Sequence, residues 1–159
     1  MHEWNSYQNA SKGNQIDLTA KVGSNVSLGS YNTIGKNVVI EGFKGVGGAS
    51  IEIGDCNIIG DNVRILIGAG GLKIGDWNVF HQDCLLMGGK RMEIGHNGWF
   101  GQNTILDSEG GLFLRNSVRI GAYSQVWTHV ASGELLEGCM MHSDRPTTLE
   151  DDVWLVGSV

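Results

Sequence analysis

The stretch that decides the fold is residues 53–67, which read IGDCNIIGDNVRILI. Large apolar residues occupy every sixth position in it, at Ile53, Ile59 and Ile65. This spacing differs from the 3.6-residue period of an α-helix, and each glycine would weaken a helix by about 1 kcal/mol. The stretch therefore predicts short strands joined by corners.

The same six-residue step recurs in four further stretches, which follow one another at intervals of 20 to 25 residues. They are 28–42 (LGSYNTIGKNVVIEG), 74–88 (IGDWNVFHQDCLLMG), 94–108 (IGHNGWFGQNTILDS) and 114–128 (LRNSVRIGAYSQVWT). Three hexapeptides, each a strand and a corner, make one triangular coil of about 18 residues. The extra residues lengthen one corner per coil and include glycine pairs such as Gly70-Gly71. Glycine and asparagine tolerate the positive φ that tight corners require.

The fifth position of each hexapeptide holds mostly small residues, as an inward-facing second column would. Cys84 falls in this column, so we interpret it as a core residue. Asn32, Asn57 and Asn78 occupy equivalent fifth positions in successive coils. We predict that their side-chain amides form a hydrogen-bonded ladder along the axis, with a structural role.

The pattern [LIV]-G-x-x-[STAV]-x resembles the hexapeptide repeat of left-handed parallel β-helices, over roughly residues 16–128 and 149–159. The resemblance implies an all-β fold, a left-handed parallel β-helix with one protruding loop. A right-handed β-helix, whose coils are usually longer, is the structural alternative. Residues 1–15 match no repeat and are expected to form an N-terminal extension or cap, so residues 16–159 make up the β-helix domain.

Composition excludes several other classes of protein. Glycine accounts for 25 of 159 residues, but a single proline excludes collagen. The net charge of −6, without a basic run, argues against nucleic acid as a partner. No apolar stretch approaches the roughly 20 residues that span a bilayer, and the polar start lacks a signal-peptide core, so a cytoplasmic location is expected. Three cysteines without a CxxC pair argue against a disulfide framework or a structural zinc site.

The repeat breaks most strongly after residue 128. Leu114 and Leu149 lead successive coils, yet they lie 35 residues apart where 20 are expected. About fifteen residues, approximately 131–146, should therefore protrude, and long loops on a rigid scaffold often carry binding and catalysis. The candidate functional residues in and just before this loop are Trp127, His129, His142, Asp144 and Arg145.

Residues 126–158, VWTHVASGELLEGCMMHSDRPTTLEDDVWLVGS, resemble the catalytic region of hexapeptide-repeat O-acetyltransferases that act on sugars and antibiotics. In that family a histidine at a coil corner precedes a loop, and a proline re-enters the helix before a hexapeptide like I-G-D-x-V-W-I-G. His129, Pro146 and residues 149–157 match these features. The resemblance implies transfer of an acetyl group from acetyl-CoA to a hydroxyl of a sugar or polysaccharide precursor, by a homotrimer with active sites between subunits.

His129 is the expected general base. An imidazole can take the proton from the acceptor hydroxyl and then protonate the departing thiolate of CoA, without a metal or a covalent intermediate. The residues assigned to substrate binding are Trp127, His142, Asp144 and Arg145, and Trp154 is assigned to acetyl-CoA.

Several alternatives remain open at this point. His129 could be a surface histidine, with His142 as the base in its place. Asp144 and Arg145 could form ion pairs on the surface, and Trp127 and Trp154 could pack against a neighbouring subunit. The protein could be a non-catalytic scaffold or binding module, or an N-acyltransferase for an amino sugar. No metal is expected, because zinc sites of the γ-class carbonic anhydrases need two histidines about five residues apart. The family's later coils, which form much of its CoA groove, lie beyond Val159, so we expect a fragment of a longer protein or a lost cofactor site.

Overall fold

A computed structural model describes residues 12–43, 49–131 and 142–158. These residues wind into three parallel sheets, and each coil adds one strand to each sheet. Neighbouring strands in a sheet pair in parallel and in register. The described part of the chain contains no helix, and accordingly no helix able to cross a membrane. The chain is a parallel β-helix, which confirms the fold predicted from the six-residue step.

The strands are short, and each sheet is six or seven strands deep. The first sheet contains β1 (Gln15–Ile16), β4 (Thr33–Ile34), β7 (Ile58–Ile59), β10 (Val79–Phe80), β13 (Trp99–Phe100), β16 (Arg119–Ile120) and β21 (Trp154–Leu155). The second sheet contains β2 (Lys21–Val22), β5 (Val39–Gly42), β8 (Arg64–Ile67), β11 (Leu85–Gly88), β14 (Ile105–Asp107) and β17 (Gln125–Val126). The third sheet contains β3 (Val26–Leu28), β6 (Ile51–Ile53), β9 (Leu72–Ile74), β12 (Met92–Ile94), β15 (Leu112–Leu114) and β20 (Thr147–Leu149).

The core lies inside the coils and is filled by the positions that the repeat predicts, together with five buried residues outside those positions: Ile51, Ile67, Leu72, Met92 and Leu112. The leading residues of the hexapeptides are buried, apart from four that are partly buried and pack against the core: Ile16, Val126, Leu149 and Leu155. The fifth positions are buried as well: Ala20, Val26, Asn32, Val38, Asn57, Val63, Asn78, Cys84, Gly98, Thr104, Val118 and Ser124. Burial also raises the pKa of the Cys84 thiol to about 11, as expected for a core cysteine.

The asparagine ladder is present. The Asn57 side-chain amide donates to Asn32 Oδ1, and that of Asn78 donates to Asn57 Oδ1, both at 3.1 Å. Each of these oxygens also accepts the backbone N–H of the next asparagine. All three side chains are fully buried, so the ladder satisfies polar groups that would otherwise be costly inside the core.

The ladder ends at Gly98, where Asn78 and the Phe100 ring leave no room for a side chain. The Gly98 N–H donates to Asn78 Oδ1 at 2.7 Å, while Phe80 and Phe100 stack with ring centroids 4.6 Å apart. A Cβ at position 98 would lie 2.7 Å from Asn78 Oδ1 and 2.9 Å from the Phe100 ring. Glycine is therefore required at this fifth position.

A second ladder runs along the corner between the third and first sheets, and we call it the outer cap ladder. In each coil a corner side chain accepts the backbone N–H of the equivalent residue one coil earlier. The acceptors are Asp55, Asp76, His96, Asn116 and Asp151, at 2.7 to 3.0 Å. The ladder gives corner N–H groups a partner that the parallel sheets do not supply.

The chain leaves the parallel sheets once within the described residues after position 49. After β17 it forms a short antiparallel pair, β18 (His129–Ala131) with β19 (His142–Asp144). It rejoins the third sheet in β20 directly after Pro146, with Leu149 in register with Leu114. Residues 132–141 of the predicted protrusion and residues 1–11 of the predicted extension lie outside the described residues, as do residues 44–48.

Candidate functional site

The candidate site lies at the corner between the second and third sheets, where the antiparallel pair β18–β19 leaves the coils. β14 ends there at Asp107, and the next coil brings Thr128 and His129 over it. The site is therefore built from two successive coils, residues 107–110 in one and 127–129 in the other.

Asp107 is buried although its strand position faces outward. Leu106 points into the core, so Asp107 alternates to the outside, in register with Met87 and Leu66. Those two neighbours are half-buried, whereas Asp107 is 0% exposed. Its hydrogen bonds to Thr128 and His129 show what covers it. A carboxylate is seldom fully buried without partners, so these contacts are needed to hold it there.

The sequence reasoning missed Asp107. The available signal was an acidic residue in an outward column that is apolar in the two preceding coils, Leu66 and Met87. Glu41 is also acidic in this column, in register with Leu66, so the column alone does not single out Asp107.

His129 and Asp107 form a hydrogen-bonded pair. His129 Nδ1 lies 2.9 Å from Asp107 Oδ2, and the histidine side chain is 24% exposed. An ionised carboxylate only accepts hydrogen bonds, so Nδ1 carries the hydrogen and Nε2 of the neutral ring is left as an acceptor. Nε2 has no hydrogen-bond partner within the described ranges. The pair thus fixes both the orientation and the tautomer of the imidazole.

Thr128 donates two hydrogen bonds to the Asp107 carboxylate. Its backbone N–H lies 3.0 Å from Asp107 Oδ2, and its hydroxyl lies 2.9 Å from the same oxygen. The hydroxyl also accepts the Gly110 N–H at 2.8 Å, which ties the corner of one coil to the next. Gly110 packs so closely that a Cβ there would lie 2.2 Å from the Thr128 carbonyl oxygen. Asp107 Oδ1 is buried and has no partner among the described residues.

The pKa values of the two groups move in opposite directions. Burial opposes ionisation of Asp107, but the hydrogen bonds from His129 and Thr128 outweigh it and hold the pKa of the carboxyl below its ordinary 3.8. The hydrogen bond to Asp107 raises the pKa of His129 above 6.5. Desolvation of the ring lowers this pKa, while the negative charges of Asp107, Glu109 and Asp144 raise it further. Both pKa shifts favour the ionised carboxylate of Asp107 and the protonated imidazole of His129.

Three further side chains surround the imidazole. The Trp127 ring is 48% exposed and lies edge-on to His129, with centroids 6.1 Å apart. Asp144 lies opposite His129 in the antiparallel pair and forms an ion pair with Lys90. Glu109 accepts the Gly89 N–H at 2.7 Å. An exposed aromatic surface and several charged groups thus lie beside the candidate base.

The other predicted residues are placed as follows. Arg145 is exposed, and its backbone packs against Gly110. The backbone of His142 pairs with Ala131, and its side chain lies outside the described part of the structure. Trp154 lies in β21 of the first sheet, on a different face from His129. The structure thus brings Trp127, His129 and Asp144 together and leaves Trp154 apart.

The remaining histidines have other surroundings. His96 belongs to the outer cap ladder, and His81 packs edge-on against Trp99 with centroids 4.8 Å apart. Within residues 12–43, 49–131 and 142–158, no three His, Cys, Asp or Glu side chains are grouped so as to hold a metal ion.

No protein-family model matches this chain, and no curated protein matches it either. The function is therefore inferred from the Asp107–His129 site together with the sequence resemblance of residues 126–158.

Proposed function

We propose that the protein is an acetyltransferase that moves an acetyl group from acetyl-CoA to a hydroxyl of a sugar or polysaccharide precursor. The observation that carries the proposal is the imidazole of His129, held at Nδ1 by a buried carboxylate with Nε2 free of partners among the described residues. A histidine held in this way is suited to accept a proton at Nε2.

The proposed reaction needs one proton to move twice. His129 Nε2 takes the proton of the acceptor hydroxyl as its oxygen attacks the thioester carbonyl. The resulting tetrahedral intermediate collapses, the C–S bond breaks, and the imidazolium returns the proton to the leaving thiolate. Asp107 stabilises the imidazolium between the two steps, because its negative charge lies 2.9 Å from Nδ1. The products are the acetyl ester and free CoA.

The surroundings of His129 support a sugar as acceptor. The exposed face of Trp127 offers an apolar surface for a sugar ring, while Asp144 and Arg145 can hydrogen-bond to hydroxyls. His142 is proposed to contact the acceptor as well. An amino sugar would react by the same proton transfers, so O- and N-acetylation are separated by the choice of acceptor in the assay.

We further propose that the protein acts in the cytoplasm as a homotrimer with its sites between subunits. In a single chain Trp154 lies on a different sheet from His129. Trp154 could therefore contact acetyl-CoA at His129 only from a neighbouring subunit.

The test is acetyl transfer from acetyl-CoA to a panel of hexoses and hexosamines, followed by mass spectrometry of the sugars. His129→Asn is expected to lower the rate by about two to four orders of magnitude, the usual contribution of general acid–base catalysis. His96→Asn is the matched control, because His96 also lies beside an aspartate yet belongs to the outer cap ladder. Its rate is expected to equal that of the wild type.

Two results would contradict the proposal. One is an unchanged rate in a folded His129→Asn variant. The other is a wild-type protein that neither binds acetyl-CoA by calorimetry nor acetylates any acceptor, which would favour the scaffold or binding module instead.

A further inference from the structure

The outward face of the first sheet differs from that of the third. Its outward column, in register from coil to coil, is Gln15, Thr33, Ile58, Val79, Trp99, Arg119 and Trp154. Arg119 is the one charged residue in that column. The outward column of the third sheet is instead Ser27, Glu52, Lys73, Glu93, Phe113 and Thr148, where opposite charges are neighbours. From Ile58 onward the outward column of the first sheet is thus apolar except for the single positive charge of Arg119.

Arg119 lies between two tryptophans. It pairs in register with Trp99 on one side and Trp154 on the other, and the inward neighbours Phe100 and Ile120 are buried. Strands in a sheet are about 4.8 Å apart, so the Cα atoms of Trp99 and Trp154 are separated by about 10 Å. Trp154 is 67% exposed, while His81 supports one edge of the Trp99 ring. We call Trp99, Arg119 and Trp154 the aromatic platform.

The positive charge of Arg119 has no ion-pair partner among the described residues. The side chain is exposed and forms neither an ion pair nor a hydrogen bond there. Asp152 lies at the corner two residues before Trp154, yet it makes no ion pair with Arg119. An unpaired guanidinium on the strand between those of Trp99 and Trp154 is therefore available to an anion that also has an apolar face.

We propose that the aromatic platform binds an extended acidic glycan, with a sugar carboxylate on Arg119 and sugar rings against Trp99 and Trp154. The guanidinium is opposite in charge to a carboxylate, and its N–H groups can donate two parallel hydrogen bonds to the two carboxylate oxygens. Pyranose rings present C–H faces that pack on indoles, and successive rings of an extended glycan can follow tryptophans two strands apart. In a single chain this site is separate from His129. It gives Trp154 to a glycan and is thus an alternative to the contact between Trp154 and acetyl-CoA proposed above, while acetyl transfer at His129 does not depend on it.

Two other occupants fit less well. A two-fold contact between copies of the chain centred on this column would bring two Arg119 side chains together, and like charges repel. A nucleotide such as CoA offers one base to stack, whereas the platform has two tryptophans on an open sheet.

The experiment follows the five indole N–H signals of the protein by NMR, with tryptophans assigned by single substitutions. The probe is a hexamer of galacturonic acid, and its fully methyl-esterified form is the uncharged control. CoA is titrated in a separate sample. The galacturonate hexamer is expected to shift the signals of Trp99 and Trp154, and the ester is expected to bind about tenfold or more weakly.

Substitutions then test each part of the platform. Arg119→Gln and Trp154→Ala are each expected to weaken galacturonate binding by about tenfold or more, since arginine and tryptophan dominate many binding sites. Arg64→Gln, an exposed arginine on the second sheet, is the matched control and should bind like the wild type. Each variant is checked by its thermal melt, and Arg119→Lys provides a second variant that keeps the charge.

The proposal is overturned if the galacturonate hexamer shifts neither tryptophan, or if folded Arg119→Gln binds it as tightly as the wild type. It is also overturned if only CoA shifts these signals. Shifts that follow protein concentration in the absence of any glycan would assign the face to a second copy of the chain.

Discussion

Within the described residues, two histidine–aspartate pairs each join one coil to the next, and the two differ in their surroundings. His129 Nδ1 lies 2.9 Å from Asp107 Oδ2, and His96 Nδ1 lies 3.2 Å from Asp76 Oδ2. Asp107 is fully buried, whereas the side chain of Asp76 is 37% exposed. The difference in burial decides how strongly each carboxylate acts on its imidazole, because solvent screens an exposed pair.

The hydrogen-bond direction differs as well. His96 Nδ1 accepts the Asp76 backbone N–H at 3.0 Å, so its role in the outer cap ladder is the one that Asp55 and Asn116 have in other coils. His129 Nδ1 instead donates to the carboxylate of Asp107. A histidine beside an aspartate is therefore a corner cap in one place and a candidate base in the other.

The strongest test of this comparison is to remove the charge from each aspartate. Asp107→Asn is expected to lower acetyl transfer by about a hundredfold or more, because the imidazolium loses its counter-charge. Asp76→Asn is expected to leave the rate unchanged, since an asparagine oxygen can still accept the Asp55 N–H as Asn116 does for His96.

A second readout separates positioning from folding in the same variants. The hydrogen bond to Asp107 raises the pKa of His129, so Asp107→Asn should move that pKa down towards 6.5. In the wild type the rate should rise with pH through a pKa above 6.5, and in Asp107→Asn the rise should occur at lower pH. A His129 pKa that stays unchanged in an NMR titration of Asp107→Asn would contradict the assignment.

The next largest effect concerns stability. Thr128→Val removes the hydroxyl that contacts Asp107 and accepts the Gly110 N–H, which leaves buried polar groups without a partner. The free energy of unfolding is expected to fall by about 1 to 3 kcal/mol. Thr148→Val, on the exposed side of β20, should change it by less than about 0.5 kcal/mol. Equal denaturant midpoints for the two variants would show that the Thr128 network contributes nothing.

The same network should make stability depend on pH. The pKa of His129 is raised, so its contribution is complete below 6.5 and is lost as pH rises through the folded-state pKa. The pKa of Asp107 is lowered, so its contribution is complete above 3.8 and is lost as pH falls through the folded-state pKa. The stability difference between the wild type and His129→Asn should therefore be largest between about pH 4 and 6.5. Chemical denaturation across pH measures it, and a difference that grows above pH 8 would contradict the pair.

The two pairs also show how far the sequence predicts this molecule. The six-residue step predicted the inward columns and the asparagine ladder because repetition places equivalent residues directly above one another. It located His129 at a corner, yet it did not find Asp107, which lies 22 residues earlier in the previous coil. The contact between His129 and Asp107 depends on how the chain leaves the second sheet after β17. The six-residue period contains no information about that segment.

The smallest expected effect concerns His96 itself. In His96→Asn the amide oxygen can replace Nδ1 as acceptor of the Asp76 N–H, so the free energy of unfolding should change by less than about 0.5 kcal/mol. In His96→Leu the acceptor is lost, and we expect a decrease of about 1 kcal/mol, moderated by solvent at this exposed corner. Thermal and urea melts of the two variants measure the difference. If asparagine and leucine are equally destabilising, the imidazole contributes through its packing, and the contrast with His129 is then one of burial alone.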